Sequence, residues 1–206
     1  METESKTIKL KEHYEVNIGK WIEKGWKIFW ADIYNFIILS LIYSAILLIV
    51  GGLTAGVGLL FIWGPLNIGF FYIIINNIKN KKKRFDFSEL AKGFDYYISS
   101  VLANILILAF LLIGFAFCII PGIVILAFYL FVYIFIFEHN MDFWEAMEAS
   151  RKIVSKHIFE FSVFALIHLI LYFIGTMFCF IGIIPIISLV NCTIVVAYDE
   201  LIGITE

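Results

Sequence analysis

Four hydrogen-bonding side chains interrupt long apolar runs: Asn67, Asn104, His168 and Asn191. Each falls at the middle of a stretch built otherwise from Ile, Leu, Phe and Val. Polar groups at such depth in a bilayer are costly, and they mark either a functional site or a bond between helices. If the four converge, they form a polar patch across a bundle, fit for a small solute or an ion. If each instead finds a neighbouring helix, they act as glue worth about 0.6–2 kcal/mol per bond. The Gly64–Pro65 pair stands just before Asn67. A proline there removes a helix donor and favours a kink, so Gly64 and Pro65 are a candidate helix break beside a polar residue. Several transporters build their sites from such breaks. Pro121 and Pro185 fall at corners instead, so this break has no counterpart in the other spans.

Other chemistry is thinly supported. His157 and His168 share a helical face but are about 16 Å apart at 1.5 Å per residue, too far to chelate one ion. No Cys/His cluster supports metal ligation, and no cofactor is implied. Ser162 and His168 are six residues apart on one helix and point to different faces, so they do not make a nucleophile and base. Asp199 and Glu200 are adjacent and project apart, near the water boundary. A rim of His157, Glu160, Asp199 and Glu200 is the one arrangement through which an enzyme acting on lipid headgroups could work. The basic run Lys79, Lys81, Lys82, Lys83 and Arg84 reads as a topology signal and a candidate contact for anionic lipid headgroups. It is single and short, without a recognition motif, which argues against nucleic acid. Cys118, Cys179 and Cys192 lie inside apolar runs and read as packing residues rather than a disulfide framework.

These residues need elements to hold them, and composition says which. Of 206 residues, 62% are hydrophobic and 16% charged, against about 45–50% apolar and 25% charged in soluble domains. The excess cannot be hidden in one soluble core. The expectation is an all-α polytopic membrane protein. Six spans are read over 33–50, 56–78, 97–120, 122–137, 158–181 and 184–202. A polar tail over 1–16 precedes a single membrane domain over 17–206. The first thirty residues mix acids and bases without an apolar centre, so they are read as part of the mature chain rather than as a signal peptide. All fifteen basic residues fall in the tail, the first pre-span stretch and the two longer connections, and the three tight corners carry no charge. The positive-inside rule then predicts a cytoplasmic membrane protein with both termini in the cytoplasm.

The chain also repeats itself. With Gly25, Gly93 and Ser150 in register, three lines align: GWKIFWADIYNFIILSLI, GFDYYISSVLANILILAF and SRKIVSKHIFEFSVFALI. Each starts amphipathic, becomes wholly apolar, turns at a Gly- or Pro-containing corner and returns as a second span. The predicted pseudo-repeats are about 17–79, 86–138 and 141–204. Each hairpin is preceded by a short helix expected to lie in the headgroup region. Ile18, Trp21, Ile22, Trp26 and Phe29 would face lipid in the first, and Phe87, Leu90 and Phe94 in the second. Ser88 is the expected cap of the middle helix and Asp142 of the third.

Together, WGPLNIGF (from Trp63), FSELAKGF (from Phe87), IIPGIVILAFYL (from Ile119), EAMEASRKI (from Glu145) and AYDEL (from Ala197) mark a family. The chain resembles bacterial and archaeal multi-pass membrane proteins related to the membrane-anchor domain of glycerophosphoryl diester phosphodiesterases. The resemblance implies a six-span helical domain and brings no catalytic residues. The soluble phosphodiesterase domain of some members has no room here.

The leading functional expectation is a non-enzymatic, lipid-associated scaffold or accessory protein of the membrane. A small-solute or ion transporter using the polar patch is the alternative, and the headgroup enzyme the third. Membrane lipids are the expected partners. The Gly-rich stretch with Gly51, Gly52, Gly56 and Gly58 also suits close contact within the chain, with a second copy or with another membrane protein.

Overall fold

The computed structural model describes residues 16–80, 85–177 and 182–204. Lys81, Lys82, Lys83, Arg84, Cys179 and the tail up to residue 15 lie outside the described residues. Among the described residues every regular element is a helix: α1 (Ile18–Ala31), α2 (Ile33–Leu53), α3 (Leu59–Asn80), a 3-10 helix (Phe87–Tyr96), α4 (Tyr97–Phe117), α5 (Ile119–Phe128), α6 (Val132–Glu138), α7 (Phe143–Val154), a 3-10 turn (Ser155–His157), α8 (Ile158–Met177) and α9 (Ile183–Leu201). Six stretches are long and apolar enough to cross a membrane, with α5 and α6 together making the fourth. The chain is an all-α polytopic membrane protein.

The hairpins are arranged in two layers. The first spans of the hairpins are poorly covered, with 22%, 22% and 28% of their apolar stretches buried, against 56%, 39% and 67% for the second spans. So α3, α5–α6 and α9 form the inside, and α2, α4 and α8 form the outside. Each outer span lies over two inner ones: α2 over α3 and α9, α4 over α5 and α3, α8 over α9 and α5. Leu66, Phe70 and Ile74 of α3, Phe135 of α6, and Val195, Tyr198 and Leu201 of α9 are among the side chains of the closed core. Ser188 ties α9 to α2, donating to the Phe36 carbonyl at 2.8 Å and meeting the Ser40 hydroxyl at 2.6 Å.

The pre-span helices close a ring. α1 packs on α9, the 3-10 helix on α3, and α7 on α5 and α6. Each therefore covers the second span of the preceding hairpin, with the first hairpin following the third. The three residues set in register in the sequence mark these contacts. A Cβ on Gly25 would come within 2.9 Å of the Thr193 backbone. A Cβ on Gly93 would run into the Pro65 carbonyl, and one on Gly69 into the Leu90 carbonyl. Ser150 donates to the Phe128 carbonyl at 2.6 Å and receives the Phe131 amide at 3.4 Å.

Several local expectations need correction. The break foreseen at Gly64–Pro65 is not there, because α3 runs unbroken from Leu59 to Asn80. Gly64 instead lets α4 approach, since a Cβ on it would strike the Ser100 carbonyl. With Gly64 and Gly69 letting neighbouring backbone close in on either side of Pro65, packing holds the helix despite the missing donor. The interruption is in the fourth span, at residues 129–131 between α5 and α6. The middle pre-span helix is capped by Asp86, whose carboxylate accepts from the Ser88 amide at 3.0 Å and hydroxyl at 2.6 Å. Asp142 does stand at the start of α7, but its carboxylate accepts from the Ser99 hydroxyl at 3.2 Å and makes no cap bond. The apolar faces of the pre-span helices turn toward protein: Trp21, Phe29 and Leu90 are buried, while Trp26, Trp30, Phe94 and Trp144 are left exposed.

Candidate functional site

Tyr129 opens the interruption of the fourth span and Tyr133 follows it, and two neighbouring cavities share them. The smaller cavity, about 210 Å³, is lined by Asn67 of α3, Tyr129, Tyr133, His168 and Tyr172 of α8, and Asn191 of α9, among apolar neighbours. The larger, about 480 Å³, is lined by Leu59, Leu60, Trp63, Asn104, Leu108 and Tyr133, with further apolar side chains. Three of the four polar residues singled out in the sequence thus reach one cavity. Asn104 belongs to the next one, with Tyr133 in both.

Their bonding explains the placement. Asn104 donates to the Leu60 carbonyl at 3.0 Å and accepts the Tyr133 hydroxyl at 3.1 Å. It acts as glue between α4 and α3 and also fixes the tyrosine at the edge of both cavities. Asn67 donates back to the Trp63 carbonyl of its own helix at 2.8 Å. Tyr43 of α2 is buried nearby, its ring edge-on to Phe70 of α3 at 5.3 Å. His168 is 5% exposed and packs its ring edge-on against Phe164 at 4.2 Å. Its Nε2 lies 2.9 Å from the Thr193 hydroxyl. Among the described residues no Asp, Glu, Lys or Arg lines either cavity, so binding there would rest on shape and neutral hydrogen bonds.

Sequence reasoning passed over the tyrosines. Its list of polar groups stopped at Asn and His, although Tyr129 and Tyr133 stand one helical turn apart inside an otherwise Phe- and Ile-rich span. A buried phenol needs a partner, and that need was the available signal.

The charged ends of the helices hold a separate set of bonds. Glu200 accepts the Trp21 indole at 2.9 Å and pairs with Lys20 at 3.2 Å and with Lys24. Asn76 donates to Glu89 at 3.0 Å, joining α3 to the 3-10 helix. Lys79, one of the residues proposed for lipid headgroups, pairs with Glu138 of α6 at 3.1 Å. His139 meets the Tyr198 hydroxyl at 2.8 Å. His157 and Glu160 stand 3.6 Å apart on a half-exposed turn. On α1, the Lys27 ammonium hydrogen-bonded to Glu23 holds that carboxyl below its ordinary range. A third cavity, about 280 Å³, is lined by Phe110, Tyr129, Trp144, Met147, Glu148 and Arg151. Arg151 and Glu148 pair within it through two bonds of 2.8 Å. Among the described residues, no three His, Cys, Asp or Glu side chains gather as metal ligands would.

No family model, curated protein or solved structure matches the chain. The site is therefore read from its own geometry, and the family resemblance contributes no residue to it.

Proposed function

We propose that this is a lipid-associated, non-enzymatic membrane protein in which α3, α4 and the fourth span enclose a cleft for an acyl chain or a similarly apolar ligand. The observation that carries this reading is the larger cavity. Its volume of about 480 Å³ falls inside the range of about 300–1,000 Å³ typical of small-molecule sites. Its walls are Leu, Ile, Gly and aromatic residues with the single amide Asn104, and its rim includes Trp63 and Leu108, both exposed on the surface of the bundle. In a bilayer that rim meets lipid. The protein purified in nanodiscs is expected to retain lipid by native mass spectrometry, and Leu126→Trp, which fills both cavities, is expected to lose it. Equal retention by the filled variant would remove the reading.

A second reading rests on the smaller cavity, where Asn67, His168 and Asn191 meet. An alternating pathway for a neutral solute would need that cavity to open on both sides in turn. Cysteines placed at Asn67 and Asn191 would then change accessibility when solute is added. Unchanged labelling would leave the lipid reading alone.

The three pre-span contacts support reading the chain as three copies of one unit closed head to tail. The clustering of basic residues supports a cytoplasmic membrane location with both termini inside. Cys118, exposed at the corner between α4 and α5, then faces outward. In a chain with Cys179→Ser and Cys192→Ser, a membrane-impermeant maleimide is expected to label intact cells. Labelling only after lysis would reverse the orientation.

A further inference from the structure

The residue that follows each register position meets the surroundings of the bundle to a similar degree. Trp26 follows Gly25, Phe94 follows Gly93 and Arg151 follows Ser150. Their exposures are 48%, 43% and, for the arginine side chain, 49%. In the first two cases an aromatic ring stands there beside a second ring, Trp26 by Trp30 at 5.7 Å and Phe94 by Tyr97 at 6.3 Å. In the third a guanidinium takes the place of the ring, and it lines the cavity of about 280 Å³. Glu148 holds only one edge of that guanidinium, accepting from Nε and Nη2 at 2.8 Å each. A guanidinium carries five N–H groups. Both on Nη1 and one on Nη2 are therefore left without a partner among the described residues. Lys152 also reaches Glu148, at 3.6 Å, so two cations share one carboxylate and the group keeps a net positive charge.

We propose that this third cavity is a headgroup site, in which the open edge of Arg151 holds the phosphodiester of a membrane phospholipid. Phosphate oxygens match the paired N–H groups of a guanidinium edge two at a time, and the single charge of a phosphodiester balances the one left over. The other walls suit the glycerol end of a lipid: Phe110 and Tyr129, stacked at 5.9 Å, with Met147 and Trp144. Trp144 is 59% exposed, and an exposed tryptophan beside a half-exposed arginine is the composition of the headgroup level of a bilayer. The volume is just below the range of about 300–1,000 Å³ for small-molecule sites, which suits a headgroup whose acyl chains stay in the bilayer. Glu148 steadies the guanidinium but also opposes the anion, so removing it and removing Arg151 have opposite effects on binding. The site stands apart from the acyl cleft, since Trp144 and Met147 line this cavity and neither of the other two.

The test uses the full chain in a maltoside detergent, which carries no phosphate. It is mixed with a phosphatidylglycerol bearing a photoreactive headgroup, or with the same lipid methylated on the phosphate to a neutral triester. Crosslinks are then sequenced to single residues. The expected result is labelling at Trp144 and Met147, with the diester favoured by about tenfold, the effect of one charge-assisted pair. Arg151→Gln is expected to abolish that preference. Glu148→Gln is expected to increase it, because the guanidinium is released and the opposing charge is gone. Glycerol 3-phosphate in excess is expected to compete far less well than unlabelled phosphatidylglycerol. Equal labelling of the wild-type chain by both probes overturns the phosphate contact, and labelling of neither residue by either probe overturns the site. Equal competition by glycerol 3-phosphate overturns the lipid source in favour of a phosphate from solution. A preference that survives in Arg151→Gln, or is lost equally in both variants, overturns the role given to the guanidinium. Because the two probes are compared on the wild-type chain, the outcome does not depend on a variant folding.

Discussion

The contact at Gly25 and Gly93 and the contact at Ser150 occupy equivalent places in the chain and do different things. At the first two, backbone meets backbone: Gly25 lies on Thr193 of α9, and Gly93 lies on Pro65 and Gly69 of α3. Both covered helices run uninterrupted. At the third a hydroxyl intrudes. Ser150 bonds the Phe128 carbonyl and the Phe131 amide, and there the fourth span is interrupted. The interruption frees main-chain groups that need partners in a membrane, and Ser150 supplies them. It also brings Tyr129 to the walls of all three cavities. One position in a repeated plan thus separates two closed contacts from the one beside which a cleft opens.

The comparison can be broken most severely at the glycine contacts. Gly93→Leu forces a side chain into the backbone of α3 and is expected to cost 3 kcal/mol or more, at the upper end of about 1–3 kcal/mol for overpacking. A thermal melt in detergent should show loss of the folded protein, and a midpoint near wild type would contradict the close approach. Trp21→Ala is an effect of the same order. It empties a fully buried indole site against Phe161 and Phe164, for which about 3–5 kcal/mol is the usual cost. The same melts would register it. Ser150→Ala sharpens the contrast directly. It leaves the Phe128 carbonyl and the Phe131 amide without the hydroxyl, at about 1–3 kcal/mol. Hydrogen exchange should rise at residues 129–131 and stay unchanged in α3 and α9, whereas uniform exchange would dissociate Ser150 from the interruption. Lys27→Ala should be the mildest. It removes an exposed pair with Glu23, and such pairs contribute little. No shift of the melting midpoint is expected, and a clear drop would give α1 a surface role that its contacts do not suggest.

Some of this was legible in the residues. The six spans follow from apolar length, which a bilayer enforces without regard to packing. Gly25, Gly93 and Ser150 align in the sequence as one repeated position, but the close contacts made there appear only in the structure. The interruption at 129–131 was not legible, because YLF carries no breaker and the hydroxyl that sustains it lies about twenty positions later in the chain. Pro65 misled for the converse reason. A breaker by local rule, it is enclosed by neighbours that Gly64 and Gly69 admit. The polar centre was half visible. Asn67, His168 and Asn191 converge as a patch would, whereas Asn104 is tied to the Leu60 carbonyl and to Tyr133.

The indole of Trp21 and the carboxylate of Glu200 are 179 positions apart in the chain. At a synthesis rate of about 5–20 residues per second, roughly 9–36 s separate their appearance. Throughout that interval α1 has left the ribosome and its partner does not exist. The basic, aromatic first helix must wait on the membrane surface until the final span arrives. Completion of the molecule is therefore set by its last-made segment. A chain cut short before α9 would leave the Trp21 indole without its Glu200 partner and Gly25 without the helix it lies on, a mark by which quality control could tell an unfinished copy from a finished one.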